Sequence, residues 1–235
     1  KNAGDGKAVN ISNIVLGGAD AGNYTLADNT ATASACIAKA SISAVTGITA
    51  QNRTYDGSTD ASLNTASAGF SGRFGNDELS VTSATGAFAD KNAGTAKSVA
   101  ITGITLGGAD AGNYVLASDT SSTQADIARA ALIIAADNAS KIAGQSIVLN
   151  GYSTRGLVAG DRVESVSLAS SGEAVTAAAG SHAIVASGAT GADLSNYTIR
   201  YENGILFVLP ALSEPSVPVT GQDYLGVLAS NGQIV

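Results

Sequence analysis

The chain has 235 residues, room for two or three small domains, and with 28 Gly, no Trp and no Met its cores must come from Val, Ile, Leu and a few Tyr and Phe. Nineteen acidic residues against twelve scattered Lys and Arg give a net charge of −7, which argues against a nucleic-acid or anionic-membrane partner, because phosphate binding needs clustered cations. One cysteine, Cys36, excludes an intrachain disulfide framework, and no apolar run approaches the length of a membrane span.

No secretory leader opens the chain. Lys1 falls inside a repeat, and the expectation is that the natural N-terminus lies upstream. Residues 1–43 realign with 91–133 at an offset of 90 without a gap, 24 of the 43 positions being identical. A true duplication follows. Residues 1–38 read as the later part of one repeat, 39–130 as a complete repeat, and 131–210 as a third, diverged one. Residues 211–235 hold two of the three prolines and read as a linker and tail, with one strand or a frayed end after it.

Within each repeat the apolar period is two. Val99 and Ile101 alternate with small or polar residues, as do Tyr114 and Leu116, Leu132 and Ile134, Val166 and Leu168, and then Ile205, Phe207 and Leu209. Turn signals separate these runs at "YDG" (55–57), "SGRFGND" (71–77), "LGGADAG" (106–112) and "YENG" (201–204). The "NDELSV" segment at 76–81 could form one helical turn. The pattern predicts an all-β chain of antiparallel sandwich modules in tandem.

The heptad "GADAGNY" stands at 18–24 and 108–114, with "GADLSNY" at 191–197. An active site is built once, whereas a structural corner recurs in every copy of a fold. The predicted corners are therefore Asp20 with Tyr24, Asp110 with Tyr114, and Asp193 with Tyr197. In this reading the Asp caps its turn, Gly22 and Gly112 supply an unusual φ, and the preceding Asn tolerates a left-handed backbone. The Tyr ring faces the core and its hydroxyl reaches a nearby backbone group, as in a tyrosine corner. The spelling resembles the D-x-A/G-x-Y-x-C signature of immunoglobulin variable domains, with Leu26, Leu116 and Ile199 at the half-cystine position. The competing reading makes each Asp a calcium ligand. Calcium takes about six to eight oxygens; one Asp plus one Asn falls short unless residues 75–78 and 159–161 contribute, and the spacing matches no calcium-loop pattern. No cofactor is expected, and calcium is the alternative.

Two stretches carry a family likeness. "RTYDGSTDASL" (53–63) with "GAFADKNAGTAKSVAITGITLGGADAGNYVL" (86–116) resembles the YDG repeat of large bacterial surface adhesins. "LIIAADNASKIAGQS", "GLVAGDRV" and "NYTIRYENGILFVLP" resemble the MBG-type module that follows such repeats, although Ala143 stands where the K-x-Y-G-Q pattern has an aromatic residue. The resemblance implies immunoglobulin-like sandwiches set end to end as an extended rod in an exported protein of the filamentous-haemagglutinin, two-partner-secretion kind. It further implies a secreted or cell-surface location, an outer-membrane secretion partner, neighbouring repeats as contacts, and no catalytic residues.

Enzyme motifs are lacking: no nucleophile elbow, P-loop or metal-spaced cluster occurs, and the one histidine, His182, reads as an edge or surface strand residue. Cys36 aligns with Asp126, which suggests an exposed position. Lys97, matched by Lys7, is the better candidate for a Lys–Asn cross-link, yet a solvated strand-end Lys is favoured. "YDG" could line a glycan site, an aromatic beside an acid, but Asp-Gly is a strong turn dipeptide and the turn is favoured. The expected function is a non-enzymatic stalk or spacer of an exported adhesin. The alternative is a module binding glycan, calcium or a host or biofilm protein.

Overall fold

The structure, a computed structural model, describes residues 1–211, so the expected linker and tail at 211–235 lie, apart from Ala211, outside the described residues. The chain is all-β, and among the described residues the only helical elements are single 3₁₀ turns. It divides into two compact units. The first comprises Lys1–Leu132, Gly156–Arg162 and Gly191–Ile199; the second comprises Ile133–Arg155, Val163–Thr190 and the described residues from Arg200 on.

In the first unit a five-stranded sheet runs in the order Arg53–Thr54, Ser121–Ala128, Gly94–Gly107, Ser80–Phe88, Asp60–Ala61. Its long ladders are antiparallel, with Phe88 opposite Val99 and Gly86 opposite Ile101. The period-two pattern puts Val99 and Ile101 wholly inside, and Ile104 joins them after Gly103. Ile101 and Ile104 pack with residues from the first half of the repeat, and Ile42, Val45, Ile48, Ile101, Ile104 and Tyr114 form one core. Burying each such side chain stabilises by roughly 1.5–3 kcal/mol. Two short pairings are parallel: Tyr114–Leu116 with Ala40–Ile42, and Ser121–Ala128 with Arg53–Thr54.

The duplication is repeated in three dimensions. Gly4–Ile11 pairs with Ala31–Ile37 in the register that Gly94–Gly107 keeps with Ser121–Ala128: Lys7 faces Ala35 as Lys97 faces Ala125. Burial differs. Val9 and Ile11 are about 40% exposed, where their counterparts Val99 and Ile101 are fully covered.

The second unit centres on a four-stranded sheet, Ala139–Ile142, Gly204–Leu209, Gly180–Thr190, Ser165–Ala169. Its core holds Ala136, Ile184, Ala186, Leu206 and Val208. The last strand turns opposite to the expected parity: Leu206 and Val208 point inward, while Ile205, Phe207 and Leu209 are half-exposed. Apolar residues on both faces left the phase of that strand open. Register settles it, because Gly204 lies against the Asp137 carbonyl, where an added Cβ would come within 2.6 Å.

Residues 76–81 form no helical turn; Asp77 N–H instead bonds the Phe74 carbonyl. Cys36 is an exposed free thiol. Among the described residues no helix is long and apolar enough to cross a membrane.

Candidate functional site: two lysine–aspartate–tyrosine clusters

Each heptad makes a single 3₁₀ turn, Ala21–Asn23, Ala111–Asn113 and Leu194–Asn196, and releases its Tyr into extended backbone. No Asp caps its own turn. The unusual φ falls at the first glycine of the heptad and not at the expected one: Gly18 and Gly108 have φ of 108° and 97°, whereas Gly22 and Gly112 are not left-handed. Gly108 has a second constraint, since an added Cβ would sit 2.3 Å from the Glu78 carbonyl oxygen. The Asn residues before Tyr do not have positive φ either; in two of the heptads their side chains point outward to a partner.

That partner is a Lys-Asn-Ala segment, residues 1–3 for one heptad and 91–93 for the next. Lys1 Nζ lies 2.5 Å from Asp77 and 3.2 Å from Asp110. The Ala3 N–H donates to Asn113 Oδ1 at 2.9 Å. Tyr114 hydroxyl donates to Asp77 at 2.7 Å and accepts from the Phe74 N–H at 3.0 Å. Asp110 accepts from the Glu78 N–H at 3.0 Å, tying the two loops together.

The second cluster is built from the same residue types. Lys91 Nζ lies 2.8 Å from Asp193 and 3.8 Å from Asp161. The Ala93 N–H donates to Asn196 Oδ1 at 2.9 Å, and Asn196 Nδ2 donates to Asn92 at 3.2 Å. Tyr197 hydroxyl donates to Asp161 at 2.6 Å and accepts from the Val158 N–H at 2.9 Å. Asp77 and Asp161 sit in the same kind of turn, each N–H bonded to the carbonyl three residues back.

The donor segment is held by its own hairpin. Asp90 accepts from the Asn92 N–H at 2.8 Å and from Lys97 Nζ at 2.7 Å, so the tip between Phe88 and Gly94 is fixed with Lys91 to Ala93 projecting. Lys97 is thus ion-paired to Asp90 at a strand end.

Tyr55 of the "YDG" turn completes the second cluster. Its hydroxyl donates to Asp161 at 2.9 Å, and its ring stands edge-on to Tyr197 with centroids 5.5 Å apart. Asp56 accepts from the Ser58 N–H at 2.9 Å and shapes the turn. Gly57, with φ of 81°, faces Val158 so closely that a Cβ would lie 3.1 Å from its methyl. Arg53 pairs with Asp56, bonds Ser58 and stacks over Phe88.

The electrostatics are those of a clamp. Burial first, then the Asp161 hydrogen bond, pushes the Tyr197 hydroxyl up to about 12. Tyr55 and Tyr114 are raised by burial in the same way. Lys91 is raised to about 12, chiefly by its bond to Asp193, and Lys1 is raised by Asp77. Asp77 is lowered by Lys1 and then Tyr114. A phenol near 12 remains a neutral donor at physiological pH, so these groups hold one another and supply no nucleophile.

The predicted corner residues therefore divide. Tyr114 and Tyr197 are 4% exposed, and their hydroxyls reach a loop about 40 residues upstream rather than a nearby one. Tyr24 is 72% exposed, and Asp20 is exposed with it. Tyr114 shares its core with Ile42, Val45 and Ile48 as well as with Ile101 and Ile104. The sequence reading missed Lys1, Lys91, Asn113, Asn196 and Tyr55 as parts of one assembly. The signal was available: "KNA" recurs at the repeat spacing, and "GND" and "AGD" recur with the heptads.

Among the described residues no group of three His, Cys, Asp or Glu side chains is placed to hold a metal ion. In each cluster a lysine ammonium occupies the position between the two carboxylates. His182 lies on a strand, with Nδ1 3.1 Å from Ser171 Oγ and Nε2 3.0 Å from the Ala178 carbonyl. The partner of its second ring nitrogen is thus a backbone carbonyl and not a carboxylate.

Residues 1–33 and 38–122 match the YDG domain, about half the chain. The chain belongs to the YDG-domain family. Residues 132–207 match the MBG domain of the YGX type. No curated protein and no solved structure matches the chain. Neither domain is a known enzymatic family, and the pairing of YDG with MBG is consistent with a repeat module of the adhesin type.

Proposed function

We propose that the chain is a non-enzymatic structural segment, a stalk or spacer, of an exported bacterial adhesin, carrying a distal binding region away from the cell surface. One observation carries this reading: lysine–carboxylate, amide–asparagine and tyrosine–carboxylate contacts between the same residue types join consecutive repeats twice, the amide–asparagine and tyrosine–carboxylate distances agreeing within 0.1 Å while the lysine sits nearer the loop carboxylate in one cluster and nearer the heptad carboxylate in the other. Binding sites have no reason to be duplicated at successive boundaries; joints in an array do.

A binding role at the "YDG" turn is less well supported. Tyr55 is 3% exposed and its ring is packed edge-on to Tyr197, leaving no face for a sugar to stack on. Calcium would have to displace an ammonium from each carboxylate pair. Export and an outer-membrane secretion partner belong to the same proposal and rest on the family likeness.

Negative-stain electron microscopy of the chain and of a concatemer tests it. Each added repeat should lengthen the particle by roughly 30 Å, the span of a strand of about ten residues. A compact particle of constant length would overturn the stalk reading, and a saturable hit on a glycan array would favour the binding alternative.

A further inference from the structure

The joint has a direction. The donor is the hairpin tip of a YDG repeat, and the acceptor is the pair of loops that carries Asp77, Asp110 and Asn113 in a YDG repeat and Asp161, Asp193 and Asn196 in the MBG-type sequence. Both repeat types supply an acceptor. Only the YDG repeat supplies a donor.

The equivalent hairpin in the second unit joins Ser165–Ala169 to Gly180–Thr190, as Ser80–Phe88 joins Gly94–Gly107 in the first. Its tip, residues 170–179, reads Ser-Ser-Gly-Glu-Ala-Val-Thr-Ala-Ala-Ala and carries no cation where residues 89–93 read Ala-Asp-Lys-Asn-Ala. It is also folded onto its own unit. Glu173 accepts from the Ser170 N–H at 2.7 Å, and Ser170 Oγ from the Gly172 N–H at 3.2 Å, a reciprocal cap. Gly172 is buried, and a Cβ there would lie 2.8 Å from Leu206. Lys141, 6% exposed, spends its three N–H donors on the carbonyls of Gln145, Glu173 and Ala174 at 3.1, 3.0 and 2.7 Å.

We infer that the MBG-type repeat is a one-way terminator: its acceptor loops take the Lys-Asn-Ala tip of a YDG repeat, and its own stapled tip offers no such contact to a following YDG repeat. An array built from these joints therefore runs YDG to YDG to MBG and stops. The donor must be a cation on a short tip, because it neutralises two carboxylates that would otherwise repel across one loop pair. The terminator does not depend on whether the array serves as a stalk.

The test lengthens the full chain by a second copy of residues 39–130 joined after Leu209, and places Asn113→Ala either in the resident repeat or in the appended one. In the resident repeat the Ala3 amide loses its acceptor and should exchange roughly fivefold faster, the worth of one hydrogen bond, with a lower melting midpoint. In the appended repeat the same substitution should leave the midpoint unchanged. An equal drop at both positions would overturn the inference. A second arm replaces residues 170–179 with Ala-Asp-Lys-Asn-Ala. If that protein is folded, the appended repeat should become sensitive to Asn113→Ala, and persistent insensitivity would also count against it. Should the graft not fold, the natural-loop arm decides alone.

Discussion

Tyr55 and Tyr197 place both hydroxyls on one oxygen of Asp161, at 2.9 and 2.6 Å, with their rings 5.5 Å apart and 78° from coplanar. One tyrosine comes from the "YDG" turn of the second repeat and the other from the third heptad, so the motif that names the family and the motif that repeats in it converge on a single carboxylate. Asp161 is nearly buried and Lys91 is the nearby cation, so the two phenols supply much of its hydrogen bonding.

Tyr197→Phe should destabilise the chain more than Tyr55→Phe. Tyr197 makes the shorter bond and also accepts from the Val158 N–H, which the substitution would strand. A hydrogen bond to a charged group is worth about 1.5–3 kcal/mol, so Tyr197→Phe is expected near the top of that range and Tyr55→Phe near the bottom. The double variant should cost less than the sum, because both report on the same oxygen. Urea unfolding of the four proteins gives the coupling; strict additivity would mean the hydroxyls act independently.

Stability should fall at alkaline pH, and the joint should be the reason. Tyr197 and Lys91 are both raised to about 12 from ordinary values of 10.0 and 10.5. A raised folded-state value means the protonated form is the stabilised one. The contribution is complete below about pH 10 and is lost as pH climbs towards 12. On the acid side Asp77 is lowered by Lys1, so its contribution is present above the ordinary carboxylate range and lost as pH falls through its depressed value. Melting midpoints from pH 3 to 12 should form a plateau with both shoulders. Tyr197→Phe should remove part of the alkaline shoulder, and an unchanged shoulder would contradict the assignment.

Much of the fold was legible in the sequence, and the joint was not, for one physical reason. Strand alternation is local: Val99, Ile101, Leu132 and Ile134 announce the inward face within a few residues, and the duplication announces the repeats. The joint depends on pairs such as Lys1 with Asp77 and Lys91 with Asp193, separated by a whole repeat, and no short window contains both. A short window therefore shows the heptad as a corner closed within itself, its Asp capping its own turn. In the structure Asp110 reaches the Glu78 N–H and Asn113 the Ala3 N–H, both outside the heptad. Gly204–Leu209 shows the other kind of failure: apolar residues on every position give no phase, and only the pairing of the strand selects Leu206 and Val208 for the core.

Tyr24 offers a test of the duplication itself. Its turn has nearly the angles of its twin, Asp20 at −99° and 7° against Asp110 at −103° and 3°, so the acceptor geometry is present although Tyr24 is open to solvent. Leu16 and Leu26 are exposed beside it and line a cavity of about 500 Å³. Fusing a copy of residues 39–90 ahead of Lys1 should fill that space in the register of the second repeat. Tyr24 should become protected from iodination, and the amides of residues 14–30 from exchange, with roughly 1.5–3 kcal/mol gained per large side chain covered. A fusion that leaves Tyr24 as reactive as before would show that the first segment does not accept this half-repeat.

Lys141→Met separates a structural lysine from a merely buried one. The ammonium ties together three carbonyls, two of them in the 170–179 tip, and methionine matches its length while donating nothing. Each carbonyl left unsatisfied in a buried site costs about 1–3 kcal/mol, reduced where water can enter. A loss of about 3 kcal/mol or more is expected, with faster exchange at the Ala177 N–H, which bonds the Ala174 carbonyl within the tip. The first unit should keep its own transition, since its joints use Lys1 and Lys91. Comparing exchange in residues 170–179 with that in residues 110–114 distinguishes the cases. Loosening confined to the tip supports a staple, whereas equal loosening at both places would mean that Lys141 supports the whole chain.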